Sequence, residues 1–384
     1  MQRSSERILV THTGSLPRTP EMRAVFAGER QVDAAERAEL VRSGVADVVR
    51  RQLDAGVDVV NDGETGKESY STYVRERLTG FDGEPESVLS LADLNAYPGA
   101  RDKFMQVTGN DVAEVLGPPA CSGPIAVADP DAVDADIRNL RAAAEGTGAT
   151  ELFLSAASPG VIASFFANHH YPNREAYLLA LAEAMRHEYE AIAASGIILQ
   201  LDCPDLAMCR HVLFDQLSLE EFRSQARLAV EMINHATANI DPDRMRIHLC
   251  WGNYEGPHHL DVALADIIDV VLRARPNGIV LEGANPRHEH EWQVFTDVEV
   301  PEGKVLMPGV VDSTSNYIEH PELIAQRLTR YADAVGAENV LAATDCGFAT
   351  GARMSAVDPD IAWAKLRAMA EGARIASQRL YSRV

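Results

Sequence analysis

From residue 151 to its end the chain alternates short apolar runs with longer amphipathic stretches, and each apolar run stops at a tip of polar residues, glycine or proline. The runs fall at 152–155, 197–202, 246–250, 278–281, 304–312 and 340–346. The stretches between them predict helices over Arg174–Ala194, Leu219–Thr237, Val262–Ala274, Pro321–Val335 and Asp360–Ser377. Strands joined through helices form a parallel sheet. The same pattern appears earlier: an apolar run at 7–10 enters the polar turn Thr13-Gly14-Ser15-Leu16-Pro17, a helix is predicted over Val32–Ala55, and a run at 57–60 ends in Asn61-Asp62-Gly63-Glu64. Repetition with functional-looking tips favours a (β/α)8 TIM barrel, a single domain over 1–384. Residues 65–120 are less regular, with a weak strand at 104–108, and are read as an excursion from the frame. The count is nine strands, one more than a barrel needs, with either the weak one or the first as the extra. An open doubly wound sheet is the alternative, but no Gly-x-Gly-x-x-Gly marks a strand-to-helix turn.

Three strand ends carry metal-type ligands. In Arg246-Ile247-His248-Leu249-Cys250, His248 and Cys250 are two apart, so on a strand they face the same side. Glu282 follows the run 278–281, and Cys346 follows 340–345. One imidazole, two thiolates and a carboxylate suit a tetrahedral Zn2+. Taken singly, a cysteine at a strand end is usually a small hydrophobe and a core histidine is usually hydrogen-bonded. Taken together, all four lie where a barrel converges its functional side chains. A carboxylate placed as Glu282 is costly to bury unless it is paired or metal-bound. Cys121, in a Pro/Gly loop, and Cys209, on or near a helix after Pro204, are weaker ligand candidates, and Cys203, beside the strand-end Asp202, reads as a packing residue near the site; the histidines at 169–170, 258–259 and 288–290 read as surface.

Acidic residues outnumber basic ones 57 to 35, which argues against nucleic acid or an anionic membrane as partner. No run approaches about 20 apolar residues and the N-terminus has no signal-like core, so a cytoplasmic protein is expected. Five cysteines, an odd number, suit reduced thiols and metal ligation better than a disulfide framework. A homo-oligomer is compatible with all of this.

His-x-Cys, the later strand-end Glu282 and Asp345-Cys346-Gly347 resemble the zinc barrel of cobalamin-independent methionine synthases, in a short form without the additional N-terminal barrel of the long enzymes. The resemblance spans essentially the whole chain. It implies Zn2+ on His248, Cys250, Glu282 and Cys346. It also implies Ser15 at the carboxylate of an amino-acid thiol, Asp202 at its amine, and Glu64 at the amine or the methyl donor. Two segments depart from the family. Asp312-Ser313-Thr314-Ser315 stands where the family has Asp-Ile-His-Ser, so Thr314 replaces the expected acid histidine. The segment 158–166 lacks the tryptophan that stacks on folate. Both departures concern the methyl donor.

Coordination to zinc deprotonates a thiol at neutral pH and keeps it nucleophilic. An amine or alkoxide leaving group needs a positioned acid. With Thr314 unsuited, His12, His169 or Glu64 would supply the proton, or the donor needs no acid, as with a methyl-corrinoid; Glu64, His12 and Asp312 are the catalytic candidates. The expected partners are a small thiol such as homocysteine and a methyl or alkyl donor, whether methyl-folate, methyl-corrinoid or epoxide. Addition of coenzyme M to an epoxide, and a zinc barrel that only binds, are the competing readings.

Overall fold

The computed structural model describes residues 1–106, 117–351 and 357–382. Seven parallel strands follow one another in chain order: β1 (Val59–Val60), β2 (Glu151–Ala157), β3 (Ile198–Asp202), β4 (Met245–Leu249), β5 (Gly278–Leu281), β6 (Val305–Val311) and β7 (Ala343–Thr344). Residues 9–11 close the ring. Leu9 O and Thr11 N pair with Ala342, and Val10 O accepts from Asp58 N and Val59 N. The first apolar run is therefore the eighth stave of the barrel. The surplus one is the weak strand: residues 104–106 are helical, and 107–108 lie outside the described residues.

The helices form where local chemistry favours them. Ala34–Asp54 begins at Asp33, whose carboxylate accepts from Glu36 N, and Leu219–Ala236 begins with a reciprocal Ser218–Glu221 capping box. Arg174–Ala194 and Pro321–Val335 have the expected bounds, and the last helix runs Pro359–Tyr381. The expected helix over Val262–Ala274 is broken into a 3-10 turn, Leu264–Asp266, and a single helical turn, Ile268–Val271. Among the described residues no helix is long and apolar enough to cross a membrane.

Inside the ring, Leu9, Phe153, Ile198, Val280, Met307 and Leu341 pack into a closed apolar layer. Above it lies a buried cation, Arg246, whose guanidinium sits 3.6 Å from the Phe153 ring centroid and donates to Gln200 Oε1, Thr11 Oγ1 and His12 O. On β4, Arg246 and His248 share the inward face, and Cys250 follows two residues on. The strand that buries a cation at one level thus presents an imidazole and then a thiol towards the C-terminal mouth.

Candidate metal centre and substrate cavity

His248, Cys250 and Cys346 come together from two strand ends, with their ligand atoms all within 4.8 Å of one another. The two sulfurs are 3.7 Å apart. Thiolates bound tetrahedrally at about 2.3 Å stand roughly 3.8 Å apart, so this spacing already fits one ion. His248 Nδ1 lies 3.4 Å from Asp202 Oδ1, while its Nε2 is buried with no hydrogen-bond partner. A buried, unpaired ring nitrogen beside two thiols is costly unless it binds something, and a carboxylate on the other nitrogen is the usual companion of a metal-bound histidine. Gly252 N donates to Cys250 Sγ at 3.3 Å, an interaction that favours the thiolate. The donor set fits zinc.

Glu282 lies outside this triplet. Its Oε1 accepts from Trp251 N at 2.7 Å and its Oε2 from Asn285 Nδ2 at 2.7 Å, which holds the carboxylate beside Cys250. Asp345 sets that loop in place: its carboxylate accepts from Gly283 N, Ala284 N and Asn285 N at 2.8–2.9 Å. Burial, then the charge of Glu282, pushes Asp345 up to about 7. A side chain at Gly309 would have its Cβ 2.0 Å from Asp345 Oδ1, so glycine is needed on β6 at that level.

The triplet lines an open cavity. Thr13, Ser15, Glu64 and Asp202 line the same cavity. Glu64 is a non-glycine residue at φ 55, directly after Gly63 at φ 65. Such a backbone costs on the order of 1–3 kcal/mol and persists only where the surroundings over-determine it. Here Asp62 Oδ1 accepts from Glu64 N, Asn61 Oδ1 accepts from Gly63 N, and buried Arg18 donates to Glu64 O and Lys67 O. The carboxylate this turn presents is 2 % exposed and its Oε2 has no partner. Burial, then Asp202, raises Glu64 to about 7. A Cβ on Gly347 would sit 2.0 Å from Ser15 Oγ, so the glycine after Cys346 makes room for that hydroxyl.

The remaining catalytic candidates sit elsewhere. His12 is buried beneath the cavity with Nε2 on Gln52 Oε1 at 2.8 Å and Nδ1 accepting from Gly14 N at 3.2 Å; burial pulls it down to about 3. An imidazole neutral at any working pH and bonded through both nitrogens holds the turn below Ser15 and is a poor proton donor to the cavity. Asp312 accepts from Thr314 N and Thr314 Oγ1, both at the same oxygen, and is not part of the cavity lining. His169 is exposed and pairs with Glu86 at 2.6 Å.

Other participants are not marked in the sequence by metal-type or acid–base chemistry. Tyr70, Phe104, Phe165 and Tyr254 also line the cavity, with Met208 and Val212. Behind Tyr254 lies a second buried polar cluster. Asp261 Oδ2 bonds His258 Nδ1 at 2.9 Å and His288 Nε2 at 3.0 Å, and His288 Nδ1 bonds Glu291 at 2.7 Å. His258 and His288, which look like surface residues in sequence, thus belong to an internal network that also takes in His211, 3.1 Å from Asp261, although His259 and His290 are not part of it. Arg246 had a usable signal: it precedes His248 by two and so shares its face.

The chain matches the model of the cobalamin-independent synthase catalytic domain over residues 8–162 and 157–374. A methionine synthase of Pyrococcus furiosus is 26% identical over 348 residues, 88% of this chain and 82% of that protein. The 5-methyltetrahydropteroyltriglutamate–homocysteine methyltransferase of Streptomyces griseus is 25% identical over 344 residues, 88% of this chain but 39% of that protein. Among solved structures, a B12-independent methionine synthase from Shewanella sp. W3-18-1, in complex with selenomethionine, superposes with a TM-score of 0.74 at 18% identity, covering 98% of this chain and 99% of that one. The barrel, its ring of strand-end ligands and these matches agree: the chain belongs to the cobalamin-independent methionine synthase family, on its catalytic-domain side.

Proposed function

We propose that this chain is a zinc-dependent S-methyltransferase that takes a small amino-acid thiol of the homocysteine type as acceptor. The observation that carries the reading is the triplet itself: two sulfurs at 3.7 Å and an orphaned imidazole nitrogen at the floor of an open cavity. Zinc held there would keep a thiol deprotonated at neutral pH. Three protein ligands and room for a fourth are the pattern of a catalytic rather than a purely structural site. Glu282 is the protein group placed to take that fourth position when no thiol is present.

The residues around the triplet divide the remaining work. Asp202 faces His248 Nδ1, which directs the other nitrogen at the metal. Glu64 offers an unpaired, buried carboxylate oxygen, suited to the ammonium of an amino acid. A cation arriving there would stabilise the ionised form and draw Glu64 below about 7. Ser15 supplies a hydroxyl for the carboxylate end, while the Thr13 hydroxyl is spent on Thr344 O. These groups orient the acceptor so that its sulfur faces the open cavity, where the donor approaches.

The experiment is to quantify zinc in the purified protein and titrate it with homocysteine and with coenzyme M while following proton release at fixed pH. About one zinc per chain and proton release with homocysteine support the reading. Release with coenzyme M alone would favour epoxide conversion. No zinc, or zinc indifferent to both thiols, would overturn it.

A further inference from the structure

The wall that faces the acceptor is aromatic. Tyr70 meets Phe165 edge-to-face with centroids 6.0 Å apart, and Phe104 meets Tyr254 in the same manner at 5.9 Å. All four line the one cavity, together with Met208 and the carboxylates of Glu64 and Asp202. Aromatic faces together with nearby carboxylates are the surroundings that recognise methylated cations, whose charge is spread over methyl groups and weakly hydrated. The protein carries a net charge of −22, which raises the local concentration of cations. The proton-donor question points the same way. Thr314 is committed to Asp312 at 2.8 Å, His12 is enclosed between Gln52 and Gly14, His169 pairs with Glu86, and Glu64, the one of these candidates that lines the cavity, is taken by the acceptor's ammonium in the reading above. A donor whose leaving group departs without a proton, an onium or a methyl-corrinoid, needs none of them, and the aromatic lining favours the onium.

We infer that the methyl donor of this chain is a small methyl-onium compound, a sulfonium or a quaternary ammonium, seated against Tyr70, Phe165, Phe104 and Tyr254. The inference rests on the thiol-acceptor reading above. In the transfer, the acceptor sulfur forms a bond to the methyl carbon as the bond from that carbon to the onium sulfur or nitrogen breaks. Its electron pair stays with the leaving thioether or amine. The acceptor thiolate loses its negative charge, the onium its positive charge, and no proton or electron is exchanged.

The test uses the zinc-loaded protein and two readouts. Calorimetric titration with tetramethylammonium and with its neutral isostere tert-butyl alcohol is expected to show at least about tenfold tighter binding of the cation. Phe165→Leu and Phe104→Leu, each checked for folding by circular dichroism, keep the apolar volume but remove a π-face. Each should weaken tetramethylammonium roughly 3–30-fold while leaving the alcohol unchanged. For transfer, homocysteine is incubated separately with trimethylsulfonium, tetramethylammonium, methyl-folate and methyl-corrinoid. Methionine from trimethylsulfonium supports a sulfonium donor, and methionine from tetramethylammonium a quaternary ammonium one. Equal binding of cation and isostere, or methionine formed only from the folate or the corrinoid, overturns the onium inference and leaves the thiol reading standing. Absence of proton release with homocysteine overturns the thiol reading instead.

Discussion

The floor of the cavity is made by strand ends, whereas the wall facing it comes from loops and short helices. On the floor, His248 stands on β4 in register with Asp202, and Cys250 and Cys346 follow directly on the ends of β4 and β7; Asp202 and Gly252 bind the side chains of His248 and Cys250, and Asp345 holds the loop that carries Glu282. On the facing wall, Phe104 comes from the excursion between β1 and β2, Tyr254 from the loop after β4 and Phe165 from the short helix Pro159–Phe165. These residues touch through ring edges rather than through a shared hydrogen-bond network. Chemistry that needs donors placed to a fraction of an ångström is put on rigid strands, and selectivity for the second substrate is put on elements that can be exchanged without disturbing the barrel.

Substitutions on the floor should therefore have large effects, starting with the ligands. Cys250→Ser or Cys346→Ser removes a thiolate and is expected to take zinc from about one per chain to trace after dialysis against a weak chelator, read by elemental analysis. Next comes Asp345→Ala, which strips the acceptor from Gly283, Ala284 and Asn285 N–H together. Leaving three buried donors unpaired at about 1–3 kcal/mol each should cost at least about 3 kcal/mol of stability, visible in the denaturant midpoint. Asp202→Asn retains shape but weakens the hold on His248 Nδ1; zinc affinity should fall about 10–100-fold in a competition titration. A loss as large as that of Cys250→Ser would mean Asp202 is itself a ligand.

Behind the wall the effects become smaller and depend on pH. Burial disfavours the charged His288 ring, but Asp261 and Glu291 outweigh it and push His288 from 6.5 to about 10. The folded state then holds the proton more tightly, so this contribution is fully present below about 6.5 and is lost as pH rises through about 10. At about 1.4 kcal/mol per pH unit at most, His288→Gln should flatten the fall in unfolding midpoint over that window. An unchanged slope would remove the charge from this cluster. Smallest of all, Thr314→Ala deletes a single hydroxyl bond to Asp312 and should cost about 1 kcal/mol or less, with no change in methyl-transfer rate. A rate loss would return Thr314 to the chemistry.

How much of this was legible beforehand follows the same division. Strand-end residues are readable because the period of two and the strand-to-helix alternation place them without knowledge of any loop: His248 and Cys250 two apart, Cys346 after a later run. The first apolar run was a doubtful strand because only residues 9–11 pair, and they do so with β7 and β1 at opposite ends of the sequence. His12 seemed available because its position next to Gly14 hides a partner forty residues on, Gln52. The Asp261 network is assembled from residues on separate loops, so its histidines look like an ordinary polar stretch. The helix expected over Val262–Ala274 fails as a continuous element although its apolar residues are buried: Leu264, Ile268 and Val271 reach the core from a 3-10 turn and a single helical turn.

The most direct test of the central claim is X-ray absorption at the zinc edge, with and without homocysteine. The account predicts two sulfur and two nitrogen or oxygen neighbours for the protein alone, and a third sulfur replacing one light atom when homocysteine is added. Four unchanging ligands, or a sulfur count that homocysteine does not alter, would contradict it and make the metal a structural part of the barrel.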